Sequence, residues 1–161
     1  MREDWRGIRI GAALLMAALA ARGLSAGDTT AIVEVSATVA QACRVSATNL
    51  QFGGYDPFGI HAGAPLDAEC RLKVECTRPV SASLRLEPHN GTPDRALLLN
   101  GADELVYGLY HDATRLQTWA DLPLDGGGSR SVEVPIFGRI FGGQDAISGD
   151  YHDTIMVRLD F

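Results

Sequence analysis

The sequence has one lysine, Lys73, and no run of basic residues; its 14 basic side chains face 20 acidic ones, for a net charge of −6. Such a chain has little with which to neutralise a phosphate backbone or hold an anionic membrane surface, which argues against nucleic-acid binding. No apolar run approaches the roughly 20 residues that cross a bilayer. Helical periodicity is also missing beyond residue 26, as are internal repeats, low-complexity tracts and any linker dividing two domains. Catalytic constellations are absent by spacing: there is no G-x-S-x-G, no H-x-x-x-H or H-E-x-x-H, and no P-loop lysine in the glycine-rich stretches. These absences predict a chain that is not an enzyme and carries no cofactor or metal.

What is present begins with the N-terminus. Arg2, Arg6 and Arg9 precede an apolar run from Ile10 to Ala21, followed by Leu24-Ser25-Ala26. This is the charged, apolar and small-residue order of a secretory signal peptide, expected to span 1–26, and the run is too short for a membrane anchor. No membrane insertion of the mature chain is expected. The remainder, 46% hydrophobic and 21% charged over the whole sequence, is ordinary globular composition for a single core.

Export permits disulfides, and three cysteines are present, Cys43, Cys70 and Cys76. Three cannot all pair within one chain. Cys70 and Cys76 fall on one face of an alternating segment, roughly 20 Å apart at about 3.3 Å per residue, too far to bond. Cys43 is therefore expected to pair with one of them.

Apolar residues recur with period two, the signature of strands half-buried against a core. Cys70, Leu72, Val74 and Cys76 alternate with Arg71, Lys73 and Glu75. Ala82, Leu84 and Leu86 form one row, Leu105, Tyr107 and Leu109 another, and Val132, Val134 and Ile136 a third. The last segment alternates Tyr151, Asp153, Ile155, Val157, Leu159 and Phe161 with His152, Thr154, Met156, Arg158 and Asp160, predicting a strand up to Phe161. Turn-forming clusters punctuate these rows at Gly53-Gly54, Pro57 to Gly63, Asn90-Gly91-Thr92-Pro93, Gly126-Gly127-Gly128 and Gly142-Gly143. Short strands at this spacing predict an all-β sandwich.

Dispersed polar residues are given their ordinary roles. His61, His89, His111 and His152 are expected at the surface. Asp112, Asp121, Asp125, Asp145, Asp150 and Asp153 lack EF-hand spacing and are expected to be solvated turn acids. Trp119, Tyr151, Phe58, Tyr107, Tyr110, Phe137 and Phe141 are expected to pack in the core rather than line a glycan-binding face. Asn90-Gly91-Thr92 fits a glycosylation sequon and is equally a good turn.

One segment is not needed by a self-contained sandwich. In residues 30 to 39, Ala31, Val33, Val35, Ala37 and Val39 share a face, and Ala40, Gln41 and Ala42 join them to Cys43. Such a strand either starts the chain's own sheet or pairs with the open edge of another subunit through main-chain hydrogen bonds, filling a groove with alternate side chains.

Six stretches carry a family likeness: Cys43-Arg44-Val45-Ser46; Phe52-Gly53-Gly54-Tyr55-Asp56-Pro57; Val74-Glu75-Cys76-Thr77; the segment from Leu105 to Ala113; Val134-Pro135-Ile136-Phe137-Gly138-Arg139-Ile140; and Gly149-Asp150-Tyr151-His152-Asp153-Thr154. In this order the sequence resembles the spore coat protein U domain family, which includes pilins of archaic chaperone-usher pili. The resemblance implies an all-β, incomplete immunoglobulin-like β-sandwich completed by donor-strand exchange. It implies a signal peptide over 1–26, an N-terminal donor strand over 27–40 with Val33, Val35, Ala37 and Val39 on its donor face, and a pilin-type β-sandwich domain over 41–161. It maps a disulfide onto Cys43 and Cys76, leaving Cys70 unpaired, and gives Ile155, Val157, Leu159 and Phe161 to a C-terminal strand contacting a chaperone. The implied partners are a periplasmic chaperone, an outer-membrane usher and identical or related pilin subunits, with export to the periplasm and then the cell surface. The implied function is a structural subunit of a surface fibre used in adhesion or biofilm formation. A spore or cyst coat protein of the same fold, or a monomeric secreted glycan-binding module, are the competing functions.

Overall fold

The computed structural model describes residues 27–77, 81–125 and 131–161. The signal peptide expected over 1–26 and the Gly126-Gly127-Gly128 turn lie outside the described residues. The chain divides into two units, 1–37 and 38–161. In the first, residues 27–37 form no regular element and all are exposed.

Among the described residues the second unit is all-β apart from one 3-10 turn, Ile60–Ala62. Its strands are β1 (Cys43–Ala47), β2 (Leu66–Cys76), β3 (Ser81–Pro88), β4 (Gly91–Thr92), β5 (Arg95–Asn100), β6 (Asp103–Tyr110), β7 (Leu122–Asp125), β8 (Ser131–Ile140) and β9 (Ile155–Asp160). One sheet runs β1-β2-β8-β6-β5-β4 and the other β7-β3-β9, and every strand pairing is antiparallel.

The two-residue alternation sets what each strand buries. In β2, Cys70, Leu72 and Val74 point into the core while Arg71 and Lys73 are exposed. The longest ladder, β2 with β8, runs from Leu66 opposite Ile140 to Glu75 opposite Ser131, and so stacks Leu72 on Val134 and Cys70 on Ile136. From the second sheet Leu84 and Leu86 close on this layer, with Tyr107 and Leu109 beside them. Each such side chain fully withdrawn from water contributes about 1.5–3 kcal/mol. The outer face carries ion pairs such as Arg71–Glu133 and Lys73–Glu75, exposed and each worth at most about 1 kcal/mol.

Three expectations are corrected. The terminal strand starts at Ile155, not Tyr151. His152 exchanges backbone hydrogen bonds with Leu99 of β5 (2.9 and 3.0 Å), whereas Thr154 already accepts from the amide of His89, beside β3 (2.7 Å). The chain thus crosses from one sheet to the other between those residues, and one continuous ladder cannot span the crossing. His61 is buried rather than at the surface: its Nδ1 accepts the Asp56 amide at 2.9 Å and its ring stacks on Tyr55. Phe58 is not a core aromatic but is 91% exposed in the 56–60 loop.

The long connection from β1 to β2 is held by polar contacts. The Tyr55 hydroxyl donates to the Phe141 carbonyl (3.2 Å) and accepts the Gln144 amide (3.0 Å). The Gln144 side chain takes both backbone groups of Val106, at 2.7 and 2.8 Å, as a neighbouring strand would. These bonds satisfy buried backbone that has no ladder partner there.

Candidate functional site: an open edge beside an apolar groove

Two strands end their sheets on the same side of the sandwich, β1 in the large sheet and β9 in the small one. β9 pairs with β3 along one edge only, from Ile155 opposite Pro88 to Asp160 opposite Ser83. Among the described residues no strand pairs with its other edge, so a row of N–H and C=O groups stands free for a partner.

Beside this edge a groove of about 500 Å3 enters the sandwich. Ala47 at the end of β1 and residues 48–52 after it form one wall, and Ile155 and Val157 of β9 form the other. Cys70, Leu72 and Ile136 lie at its base. Ile155 and Val157 are therefore only half-buried although they belong to the core-facing row, and Leu159, farther along that row, is half-buried as well.

One end of the groove is polar. Asp153 lies in the core-facing row, at the crossing between sheets, and is half-buried. Its Oδ2 accepts the hydroxyl of Tyr107 at 2.7 Å and its Oδ1 accepts Asn90 Nδ2 at 2.9 Å. Burial, then the hydrogen bond to Asp153, pushes the Tyr107 phenol above its ordinary range, so it stays a neutral donor. Asp153 is thus no solvated turn acid, a further correction. Its place in the inward row was the available signal, and its partners, on β6 and in the β3–β4 turn, had none.

Cys43 and Cys76, 33 residues apart, form a disulfide that ties β1 to β2 at the register Cys43 opposite Cys76. Cys70 is a free, buried thiol in the groove, and burial raises its pKa. Phe161, beyond β9, is 54% exposed. Residues 27–42 form no strand, and Val33, Val35 and Val39 are each at least 80% exposed. An apolar alternating segment has no reason to be extended and stable alone, because a strand is fixed by its partner's hydrogen bonds. Among the described residues no cluster of His, Cys, Asp or Glu suits a metal ion.

A two-sheet antiparallel sandwich with a free edge along a groove defines an incomplete immunoglobulin-like domain. The family model of the Spore Coat Protein U domain matches residues 29–158, and the chain belongs to that family. It is 31% identical over 156 residues to Protein U of Myxococcus xanthus, covering 84% of this chain and 87% of that protein. Its fold is similar to a chain of the CsuC–CsuE chaperone–tip adhesion subunit pre-assembly complex from the archaic chaperone-usher Csu pili of Acinetobacter baumannii, with a TM-score of 0.55 and 17% identity. That match covers 77% of this chain but only 40% of the other. The P pilus rod subunit PapA matches at a TM-score of 0.50 and 15% identity, over 82% of this chain and 99% of that one.

Proposed function

We propose that the chain is a structural subunit of a secreted surface fibre of the archaic chaperone-usher type, polymerising by donor-strand complementation and serving adhesion or biofilm formation. Residues 1–26 direct export and are removed, 27–40 act as the donor strand, and 41–161 form the receiving sandwich. The observation that carries this reading is the unpaired edge of β9 beside a groove whose core-facing row is only half-buried. Donor residues Val33, Val35, Ala37 and Val39 of one copy fill the groove of the next, each valine gaining about 1.5–3 kcal/mol on burial. Before assembly the same edge and groove are an aggregation hazard, so a periplasmic chaperone covers Ile155, Val157, Leu159 and Phe161 until an outer-membrane usher exchanges it for the next subunit.

The test is assembly of the exported chain. The parent is expected to form multimers that resist SDS without heating, and Val35→Asp, which would bury a charge in the groove, is expected to remain monomeric while still binding its chaperone. Normal fibres from Val35→Asp, or from a chain lacking 27–40, would refute the reading. Membership of a family named for a spore coat protein supports one alternative, a spore or cyst coat built by the same subunit. Fibres on vegetative cells distinguish the two.

A further inference from the structure

We propose that the Asp153 carboxylate, held by Tyr107 and Asn90 at the end of the groove, sets the register of the incoming strand by pairing with Gln41 of a second copy of this chain. The inference rests on the donor-strand reading above and adds the rung at which the two chains lock.

Alternation alone leaves register underdetermined. A one-residue slip turns every apolar side chain to solvent, but a slip of two keeps the same face inward and only moves the rungs. A feature of the groove must choose among the even slips, and Asp153 is the one charged residue in the row Asp153, Ile155, Val157, Leu159, Phe161. A carboxylate offers about four acceptor positions, of which Tyr107 and Asn90 take two. Asp153 itself lines the groove, where a donor on an incoming strand can meet the remainder.

The donor row has a matching polar end. Its odd-numbered residues read Val33, Val35, Ala37, Val39 and then Gln41. The pairings of the described strands are all antiparallel, and a strand joining β9 in the same sense with Val39 on Ile155 brings Gln41, just past the start of the ladder, to the side chain of Asp153. The four apolar donors then fall on four apolar acceptors: Val39 on Ile155, Ala37 on Val157, Val35 on Leu159 and Val33 on Phe161. The side-chain amide of Gln41 donates to the spare carboxylate positions.

Both neighbouring even registers fail. In one, Val39 covers the carboxylate and leaves its acceptors unmet. In the other, the Gln41 amide falls on apolar Ile155, and the residue next in the row towards Asp153 is Cys43, which the disulfide to Cys76 holds in β1. The adjoining Ala42 amide also donates to Thr77 Oγ1 at 2.9 Å, and its carbonyl accepts the Thr77 amide at 2.9 Å. Gln41 is thus the last residue free to join a neighbour.

The register is read by cross-linking in the full chain. With Cys70→Ala removing the native thiol, Val157→Cys is combined in turn with Val35→Cys, Ala37→Cys or Val39→Cys. Directly opposed positions are close enough for a disulfide and those two residues off are not. The Ala37→Cys pair is expected to cross-link at about ten times the yield of either other pair, and preferential capture through Val35→Cys or Val39→Cys overturns the register. A second measurement leaves the groove intact. Gln41→Leu, on an exposed residue, is expected to shorten the lifetime of the multimers about tenfold, as for one hydrogen bond to a charged group, and to do so no longer when Asp153→Leu is also present. Equal lifetimes for Gln41→Leu and the parent overturn the pairing. Multimers with a different register leave the donor-strand reading standing, whereas no multimer of any kind removes that reading and this one together.

Discussion

The ring of Phe52 occupies the space that a side chain on Gly138 would need: a Cβ there would lie 2.7 Å from Phe52 Cζ and 2.8 Å from Leu50 Cδ2. Gly138 is buried in β8, and Leu50 and Phe52 belong to the wall of the groove. Bare backbone at this point of the sheet lets the β1–β2 connection lie down on it, with Phe52 meeting Tyr107 edge to face at 5.9 Å between ring centres.

Gly138→Val is therefore expected to lift that wall. Overpacking of a filled site costs about 1–3 kcal/mol, here borne by Leu50 and Phe52, whose backbone is anchored outside any ladder. Denaturant unfolding of the folded monomer, in complex with its chaperone or complemented by a peptide of residues 27–41, measures the loss. A variant as stable as the parent would show that the wall moves freely.

The Cys43–Cys76 link joins β1 to the rest of the large sheet, and among the described residues β1 pairs only with β2. Closing a span of 33 residues restricts the unfolded chain and stabilises the folded one by about 2–4 kcal/mol on the loop-closure estimate. Replacing both cysteines by serine is expected to lower the unfolding free energy by that amount and to loosen β1 first. Hydrogen exchange of Val45 and Ser46 amides, faster in the variant than those of Leu84 and Leu86, checks the order.

The parts of this architecture visible in the sequence are those that a single strand reports about itself. Leu72 and Val74, Leu84 and Leu86, or Val134 and Ile136 announce their burial through alternation, because each faces the same core whatever its neighbour. The groove is different. Its wall depends on Tyr55 finding Phe141 and Gln144 finding Val106, 86 and 38 residues apart, and neither pair has a local pattern. His61 reads as a surface histidine because it stands among turn residues, yet the turn folds its ring onto Tyr55. Asp153 was exposed to detection, as a charge inside an apolar row, but its position between two sheets makes sense only when Leu99 and His89 are seen to take its two neighbours.

Acid is expected to weaken the fold over a defined range. The Thr114 hydroxyl, helped by the amides of Gln117 and Leu116, lowers the Asp112 carboxyl to about 2, and the Arg139 guanidinium, with Arg115 nearby, holds that of Asp67 below its ordinary value. A carboxyl that binds its proton less readily when folded contributes stability above its unfolded pKa, and this is lost as pH falls through the folded value. The loss should therefore run from about pH 4, the ordinary aspartate value, down to about 2. Thermal unfolding at several pH values across that window is expected to show a shallower decline for Asp112→Asn than for the parent. Identical slopes would assign the acid sensitivity to other groups.

Cys70 gives a chemical reading of whether the groove is filled. The residue is 7% exposed and lies on the lining of the groove, and burial raises the pKa of its thiol. Alkylation proceeds through the thiolate, so iodoacetamide should modify folded monomer far more slowly than unfolded chain. If assembly lays a donor strand over the groove, the rate should fall again in multimers, because access then requires that strand to leave. Monomeric Val35→Asp, with the same thiol and an empty groove, should keep the monomer rate. Mass spectrometry of the peptide carrying Cys70 follows each reaction. Equal rates in monomer and multimer would mean that assembly uses some surface other than this groove, and the unpaired edge of β9 would then need a different occupant.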